Sequence, residues 1–233
     1  MIAGILAGGT GSRMGSEIPK QFLEIGGVPV LVRTVRMFAE RQDVERVFLV
    51  MNREWMDYAR TLLAAYSFPV APILVEGGDT RFASMECLIR AALDCPHTKE
   101  TVLIVHDCAR PFVPGTVIDR LLDAMKTADM ATASMPAVDS ILRSRDGVYS
   151  AEMLTRSEIF CDQGPQCFRL DEMKNLLAAL TAKERDTFME AGAVYLAAEK
   201  KVAVVRGDRL SFKLTTPDDV EYAQYLYQKG VIK

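Results

Sequence analysis

Short, continuous apolar runs alternate along the chain with longer segments whose apolar residues recur at helical spacing. The runs that predict strands are IAGIL, ERVFLVM, VAPILVEGG, TVLIVHD and ADMATASMPAV. The segments between them are PVLVRTVRMFAER, REWMDYARTLLAAY, TRFASMECLIRAAL and VIDRLLDAM, and the first of these places Leu31, Val35 and Phe38 on one helical face. Unbroken apolar runs are typical of strands covered on both faces. The pattern therefore predicts an α/β fold with a doubly wound, mostly parallel sheet.

The alternation stops at residues 138 to about 160, where an Asp146–Gly147 pair separates two strand-like runs. This pattern predicts a β-hairpin, which we call the arm. No helix follows that could cover the arm, so a second copy of the chain is its expected partner.

Beyond the arm, the pattern predicts helices in LDEMKNLLAAL and AKERDTFMEAGAVYLAA, a strand in KVAVVRG and a last helix in PDDVEYAQYLYQ. Thr216 is the expected N-cap of the last helix, with Pro217 as its first residue. No repeat or linker interrupts the chain, so we expect one domain over residues 1–233.

Composition limits the classes of partner. The net charge of −3 gives no electrostatic reason to expect binding to nucleic acid or to an anionic membrane, so any phosphate must be met by local cations. No signal peptide or membrane-spanning run is expected, and five cysteines without a CxxC pair are typical of reduced thiols in a cytoplasmic protein. With only two histidines, a His-rich metal site is excluded and a His-based triad is not expected.

A glycine-rich loop, LAGGTGSRMGSEIPK, follows the first predicted strand. It is not a dinucleotide fingerprint, because Met14 stands at the third glycine position and Pro19 lies where a helix should continue. It is not a Walker A loop either, since no lysine follows a glycine. Its exposed backbone N–H groups could still approach a phosphate, with Arg13 and Lys20 as counter-charges. Glycine turns after strands are common, so the loop alone does not decide the function.

Two other predicted strands also end in segments that could contact a nucleotide or a metal. Glu76-Gly77-Gly78-Asp79-Thr80-Arg81 and His106-Asp107-Cys108-Ala109-Arg110 each follow a predicted strand. The carboxyl ends of parallel strands meet at one edge of a sheet, which is where ligands bind in open α/β folds. A glycine pair suits a flat base, and Mg²⁺ prefers carboxylate and phosphate oxygens. Asp107 on its own could be an ordinary loop carboxylate, but together these segments predict a site for a nucleoside triphosphate with Mg²⁺.

Six ordered blocks then resemble a known family: LAGGTGSRMGSEIPKQFL, GGDTRFAS, VHDCARPFV, VDSI, TRSEIFCDQGPQCF and FKLTTPDD. Over nearly its whole length the chain resembles the cytidylyltransferases that act on sugar-alcohol phosphates, which include a ribitol 5-phosphate branch and a 2-C-methyl-D-erythritol 4-phosphate branch. The resemblance implies a Rossmann-like domain, CTP as substrate, Mg²⁺ as cofactor, and a homodimer in which the arm reaches the neighbouring site.

The resemblance also implies roles for individual residues. It implies that Arg13 and Lys20 are catalytic, contacting the triphosphate and stabilising the transition state, and that Asp107 binds the metal. With the loop motifs, it indicates nucleotide binding by Leu6, Ala7, Gly8, Gly9, Thr10, Gly11, Gly77, Gly78, Asp79, Arg81, Ser84 and Asp107. It implies that the polyol phosphate is bound by Ser140, Arg110, Arg156 and Lys213. Of these, Arg156 and Lys213 are also implied to be catalytic. Judged on local sequence alone, Arg156 and Lys213 would be ordinary solvated cations.

The chain departs from the family pattern on the acceptor side. Gly164 replaces a threonine, Met189–Glu190 aligns with a Thr–Asp pair, and Ser211 replaces an asparagine. The second glycine of LAGGTG and the helix that contains Trp55 are more similar to the ribitol branch. We therefore expect ribitol 5-phosphate as the acceptor, with the methylerythritol phosphate as the alternative.

The expected reaction is attack by the acceptor phosphate on the α-phosphorus of CTP, which releases pyrophosphate and needs no general base. Rival interpretations are a related enzyme that uses another nucleotide, and a module that binds nucleotide without catalysis. The presence of both Arg13 and Lys20 argues against the second, because base recognition requires neither.

Overall fold

The computed structural model describes residues 1–9 and 18–232. The strands are β1 (Ile2–Leu6), β2 (Glu24–Ile25), β3 (Val28–Pro29), β4 (Arg46–Met51), β5 (Pro72–Glu76), β6 (Val102–Asp107), β7 (Met130–Pro136), β8 (Leu142–Ser144), β9 (Ser150–Met153), β10 (Phe160–Arg169) and β11 (Val202–Arg206). The α-helices are α1 (Val30–Ala39), α2 (Met56–Ala64), α3 (Arg81–Leu93), α4 (Gly115–Ala124), α5 (Leu170–Ala179), α6 (Ala182–Thr187), α7 (Ala191–Ala197) and α8 (Pro217–Gln228).

The main sheet has the strand order β11-β7-β10-β6-β1-β4-β5. β1 pairs in parallel with both β4 and β6, and β5 continues the parallel part beyond β4. Because these strands are parallel, their carboxyl ends share one edge, as predicted. The expected doubly wound, mostly parallel α/β sheet is confirmed.

Helices cover both faces of this sheet. One buried cluster joins the sheet to α1 and α4 and includes Leu31, Val35 and Phe38, which are fully buried. The predicted helical face is therefore confirmed, and burying a side chain such as Phe38 stabilises the fold by about 2–3 kcal/mol. The second cluster joins the opposite face to α3, α5 and α7, through residues such as Met85 and Val194.

The pattern did not predict β10, which lies in the sheet between β6 and β7 and is antiparallel to both. Its sequence, FCDQGPQCFR, has no clear alternation and contains Gly164 and Pro165. The pairing with β7 shifts register between Asp162 and Gln166, so the glycine and the proline occupy a bulge. The bulge explains why local sequence gave no strand signal there.

The prediction of one continuous helix over AKERDTFMEAGAVYLAA is wrong, because the segment forms two helices, α6 and α7. Thr181 caps the start of α6 in a capping box with Glu184, and Phe188, whose backbone is extended, follows its last residue. α7 starts after Glu190, also extended, so residues 188–190 form a separate connection.

The predicted hairpin is confirmed. β8 and β9 pair with each other in antiparallel fashion, and every residue in them is exposed. Gly147 has a φ of +75°, a backbone conformation that glycine tolerates best, and Asp146 accepts hydrogen bonds from the Val148 and Tyr149 amides.

The last helix also begins as predicted. Thr216 caps α8 in a capping box with Asp219, and Pro217 is its first residue. Among the described helices, none combines the length and apolar character needed to cross a membrane.

Candidate active site

A cleft of about 590 Å³ opens at the carboxyl ends of β1, β5 and β6. It is lined by residues 6–9, 76–81 and 107–109, with Lys20, Gln21, Asn52, Arg53, Ser84 and Lys213. The structure thus brings together most of the residues predicted for nucleotide and metal binding. Thr10, Gly11 and Arg13 lie outside the described residues.

One wall of the cleft is made of glycines with side chains close behind them. A Cβ on Gly8 would lie 3.1 Å from Asn52 Oδ1, and a Cβ on Gly77 would lie 2.8 Å from Ser84 Oγ. The Ser84 hydroxyl in turn donates to the Gly78 carbonyl at 3.1 Å. This wall is flat because larger residues do not fit, which suits contact with a planar base.

The loop between β5 and α3 holds this wall in place. The Gly77 amide donates to the Met51 carbonyl at 2.9 Å, and Thr80 caps α3 by accepting from the Ala83 amide at 3.0 Å. Asp79 therefore lies in the cleft on a loop that is fixed at both ends.

Lys20 reaches the cleft from a short 3-10 turn, Lys20–Phe22, that follows Pro19. The neighbouring Gln21 is buried, and its Nε2 donates to the Ala7 carbonyl at 2.9 Å. This hydrogen bond ties the turn to the end of β1, so Lys20 lines the same cleft as Gly8 and Gly9.

Asp107, at the end of β6, is buried among cations. Its Oδ1 accepts from Arg81 Nε and Nη2 at 3.2 and 3.0 Å, and its Oδ2 accepts from Lys213 Nζ at 2.7 Å. Burial alone would raise the pKa of Asp107, but Arg81 and Lys213 overcome that effect and hold it well below its ordinary value. Asp107 is therefore an ionised carboxylate at neutral pH.

Arg110 lies beside this cluster, with its Nε 3.9 Å from Asp107 Oδ2 and its Nη1 donating to the Ser211 carbonyl at 2.8 Å. Gly164 of the β10 bulge packs against it, with a φ of +100° and a would-be Cβ only 2.9 Å from Arg110 Nε. Two family departures, Gly164 and Ser211, thus meet at one arginine.

The buried His106 cannot act as a base for the reaction. Its Nε2 donates to the Arg110 carbonyl at 2.9 Å, and its ring packs edge-on against Phe38. Burial lowers the pKa of His106 to about 4, so the ring is neutral and belongs to the core.

Of the described residues that were predicted, Ser140 and Arg156 lie away from this cleft, and Arg110 is next to Asp107 but does not line the cleft. Ser140 and Arg156 are both exposed on the arm, where Arg156 Nη1 donates to the Val138 carbonyl at 3.3 Å. Their predicted role would therefore need the arm of another copy.

Gln21, Asn52 and Arg53 line the cleft but were not predicted. A signal was present for Asn52 and Arg53, because they directly follow β4, whose carboxyl end lies at the same edge. Gln21 acts through the backbone of a residue fourteen positions away, and no local pattern reveals that contact.

The cleft fits a divalent cation that arrives with a polyphosphate. Among the residues described, no group of three or more His, Cys, Asp and Glu side chains could hold a metal by itself. Mg²⁺ commonly uses one or two carboxylates and takes its other ligands from phosphate and water. Three carboxylates line the cleft, those of Glu76, Asp79 and Asp107, and Asp107 is the one whose strand pairs with the end of β1 at Leu6, next to the glycine loop.

Comparison with known proteins decides the family. Residues 1–229 match the model of the 2-C-methyl-D-erythritol 4-phosphate cytidylyltransferase family. The chain belongs to this family. It is therefore a cytidylyltransferase, a nucleotidyltransferase whose substrate is CTP.

Relatives in the family carry two names. A protein of Streptococcus pneumoniae (strain CGSP14) named ribitol-5-phosphate cytidylyltransferase is 32% identical over 232 residues, which cover 97% of this chain and 98% of that one. The structure of 2-C-methyl-D-erythritol 4-phosphate cytidylyltransferase from Thermus thermophilus is similar with a TM-score of 0.72 at 25% identity, covering 97% and 98% of the two chains. The 4-diphosphocytidyl-2C-methyl-D-erythritol synthase of Anaerococcus prevotii has a TM-score of 0.78 at 21% identity, covers 97% of both chains and supports the fold.

Proposed function

We propose that this chain transfers the cytidylyl group of CTP to ribitol 5-phosphate, forming CDP-ribitol and pyrophosphate. The observation that carries this choice of acceptor is the 32% identity, across 97% of this chain, to a protein named for that reaction. The second candidate acceptor is 2-C-methyl-D-erythritol 4-phosphate, which is favoured by the family model over residues 1–229.

In this reaction an acceptor phosphate oxygen forms a bond to the α-phosphorus of CTP, and the bond to the pyrophosphate oxygen breaks. A phosphate monoester has a second pKa near 6, so the nucleophile is already an anion near neutral pH. No proton needs to be removed, which agrees with a cleft whose neighbouring histidine, His106, is neutral and buried. The barrier is the repulsion between two polyanions.

Cations of the chain are placed to lower that barrier. Lys20 lines the same cleft as Gly8 and Gly9, along which the triphosphate of CTP would lie. Lys213 lines the cleft beside Asp107, where it could hold the incoming phosphate. Preorganised charges of this kind supply most of the catalysis in phosphoryl transfer. Arg13 is proposed to assist Lys20, as the sequence predicts.

Mg²⁺, held by Asp107, would neutralise phosphate charge when bound. Asp107 suits this role because its carboxylate stays ionised and is held from two sides, by Arg81 and by Lys213. The glycine wall formed by Gly8, Gly77 and Gly78 would accept the cytosine and ribose.

We also propose that two copies of the chain, each a single domain of residues 1–233, combine through the arm. The arm exposes large apolar side chains, with Val148, Tyr149 and Met153 between 66% and 77% exposed. A hairpin with no buried face is unstable in isolation, so a second copy is its natural cover. Arg156 and Ser140 would then reach the acceptor phosphate in the neighbour's cleft. The free cysteines agree with a reducing, cytoplasmic setting.

A pyrophosphate-release assay tests the proposal. The enzyme would be incubated with Mg²⁺, one of the four nucleoside triphosphates, and the phosphate of ribitol, xylitol, glycerol or methylerythritol. We expect release with CTP and ribitol 5-phosphate, at a kcat/KM at least tenfold above the other pairs. Release with methylerythritol phosphate alone would favour the second candidate, and CTP binding without release from any acceptor would contradict catalysis.

A further inference from the structure

Arg81, the first residue of α3, is shared by two carboxylates from different parts of the fold. Its Nε and Nη2 donate to Asp107 Oδ1, while its Nη1 lies 2.6 Å from Glu190 Oε2 and donates to the Met189 carbonyl at 2.9 Å. The Oε2 atom is buried and accepts no hydrogen bond from the described residues, so its contact with Arg81 is an ion pair, although 41% of the Glu190 side chain is exposed. All three guanidinium nitrogens of Arg81 therefore face protein acceptors.

The contact links two segments far apart in sequence. Arg81 follows the loop 77–80 of the nucleotide wall, and Glu190 ends the connection between α6 and α7. The extended backbone of Glu190, with φ −135° and ψ 151°, interrupts the helical segment and places its carboxylate next to Arg81. The break in the predicted helix thus has a consequence for the cleft.

Charge in this region is balanced only when Glu190 is counted. The interacting groups are three cations and three acids: Arg81, Arg110 and Lys213 with Asp107, Asp162 and Glu190. Without the Glu190 charge, Arg81 would have Asp107 as its one anionic partner, and the cluster would carry an excess positive charge. Both changes oppose the approach of a second cation to Asp107.

We propose that Glu190 is a positioning residue that holds Arg81 Nη1 and so leaves Asp107 oriented and negative enough to bind the divalent cation that accompanies the nucleotide. In this proposal Glu190 acts through Arg81 and does not itself bind the cation, because Asp107 lines the cleft whereas Glu190 does not. The inference rests on the proposed function for the metal–nucleotide site, but not on the identity of the acceptor.

Binding of Mn²⁺, as a spectroscopic probe for the metal, tests this role without turnover. The full-length Glu190→Gln variant keeps the shape of the side chain and removes its charge. We expect its Kd for Mn²⁺ in the presence of CTP, measured by calorimetry and electron paramagnetic resonance, to rise at least fivefold. Glu190→Asp, which keeps the charge, should recover most of the affinity. Asp186→Asn is the matched control, since Asp186 is exposed on neighbouring α6, and it should bind Mn²⁺ like the wild type.

A double-mutant cycle separates positioning from a diffuse charge effect. In an Arg81→Met background, Glu190→Gln should change the Mn²⁺ Kd less than twofold, because the intermediary is gone. An undiminished effect in that background would overturn the proposal, as would wild-type affinity in Glu190→Gln or failure of Glu190→Asp to recover binding. If the wild-type protein itself bound neither CTP nor Mn²⁺, the proposed function would fail instead.

Discussion

Lys20 is one of four cations among the described residues that line the cleft, with Arg53, Arg81 and Lys213. It lines the same cleft as Gly8 and Gly9, and the Gln21–Ala7 hydrogen bond fixes the turn that carries it. We expect Lys20→Ala to lower kcat at least a hundredfold, since losing one preorganised charge costs about 3 kcal/mol of transition-state stabilisation. Steady-state kinetics with saturating CTP measures the effect.

The matched control for Lys20→Ala is Lys126→Ala. Lys126 pairs with Asp123 on the exposed surface after α4, outside the cleft. It should keep wild-type kcat, and both variants should keep the wild-type unfolding midpoint. Near-normal turnover in Lys20→Ala would contradict the assigned role.

The charge of Asp107 leads to a prediction about the free energy of unfolding. Its pKa is depressed in the folded protein despite burial, because of Arg81 and Lys213. Its ionised form therefore stabilises the fold above the unfolded-state pKa near 3.9, and this contribution is lost as pH falls toward the folded-state pKa. We expect Asp107→Asn to lower the free energy of unfolding by about 2 kcal/mol at pH 7, less than for a fully buried pair because Lys213 is partly exposed.

Urea unfolding of wild type and Asp107→Asn at several pH values checks this sign. The difference between the two proteins should be constant from pH 7 down to about pH 5 and should shrink below pH 4. A difference that grew toward acid pH would mean that Asp107 is protonated in the native state.

At the scale of elements, the bulge in β10 packs against Arg110, next to the candidate site. Gly164→Ala places a Cβ 2.9 Å from Arg110 Nε at a φ of +100°, so it adds a clash to backbone strain. Gly147→Ala in the arm, at φ +75° with open space around it, adds strain alone. We expect Gly147→Ala to cost about 1 kcal/mol of unfolding free energy and Gly164→Ala about 1–2 kcal/mol more.

Steady-state kinetics should also distinguish the Gly164→Ala variant from the Gly147→Ala variant. Gly164→Ala should raise the KM for the acceptor phosphate and leave that for CTP unchanged, because Arg110 lies on the Asp107 and Lys213 side of the site. If Gly164→Ala and Gly147→Ala lowered the free energy of unfolding equally, the predicted clash would be wrong, because Arg110 would have moved to accommodate the added methyl group.

The same elements show which features of the fold and site could be predicted from the sequence and which could not. Unbroken apolar runs predicted β1, β4, β5 and β6, and parallel topology then placed Gly77 and Asp107 at one edge. β10 escaped prediction because its pairing to β6 and β7, rather than its own pattern, makes it a strand. The Glu190–Arg81 contact spans more than a hundred residues, so only the tertiary fold could reveal it.

At the scale of the whole molecule, the cleft and the arm separate two sets of predicted residues. Lys20 and Lys213 line the cleft, while Ser140 and Arg156 lie exposed on the arm. If the arm of one subunit serves the cleft of the other, each active site combines residues of both chains. Residues that act together would then be separable between subunits.

Subunit mixing tests this arrangement. In a heterodimer of an Arg156→Ala subunit and a Lys20→Ala subunit, one of the two sites has both residues intact, and the other has neither. Random mixing of inactive homodimers should therefore restore about a quarter of wild-type activity. The control is a Lys20→Ala/Arg156→Ala subunit paired with a wild-type subunit in a purified, differently tagged heterodimer. Both of its sites lose one residue, so it should be inactive. An active control together with no rescue in the first mixture would mean that each site is built within one chain.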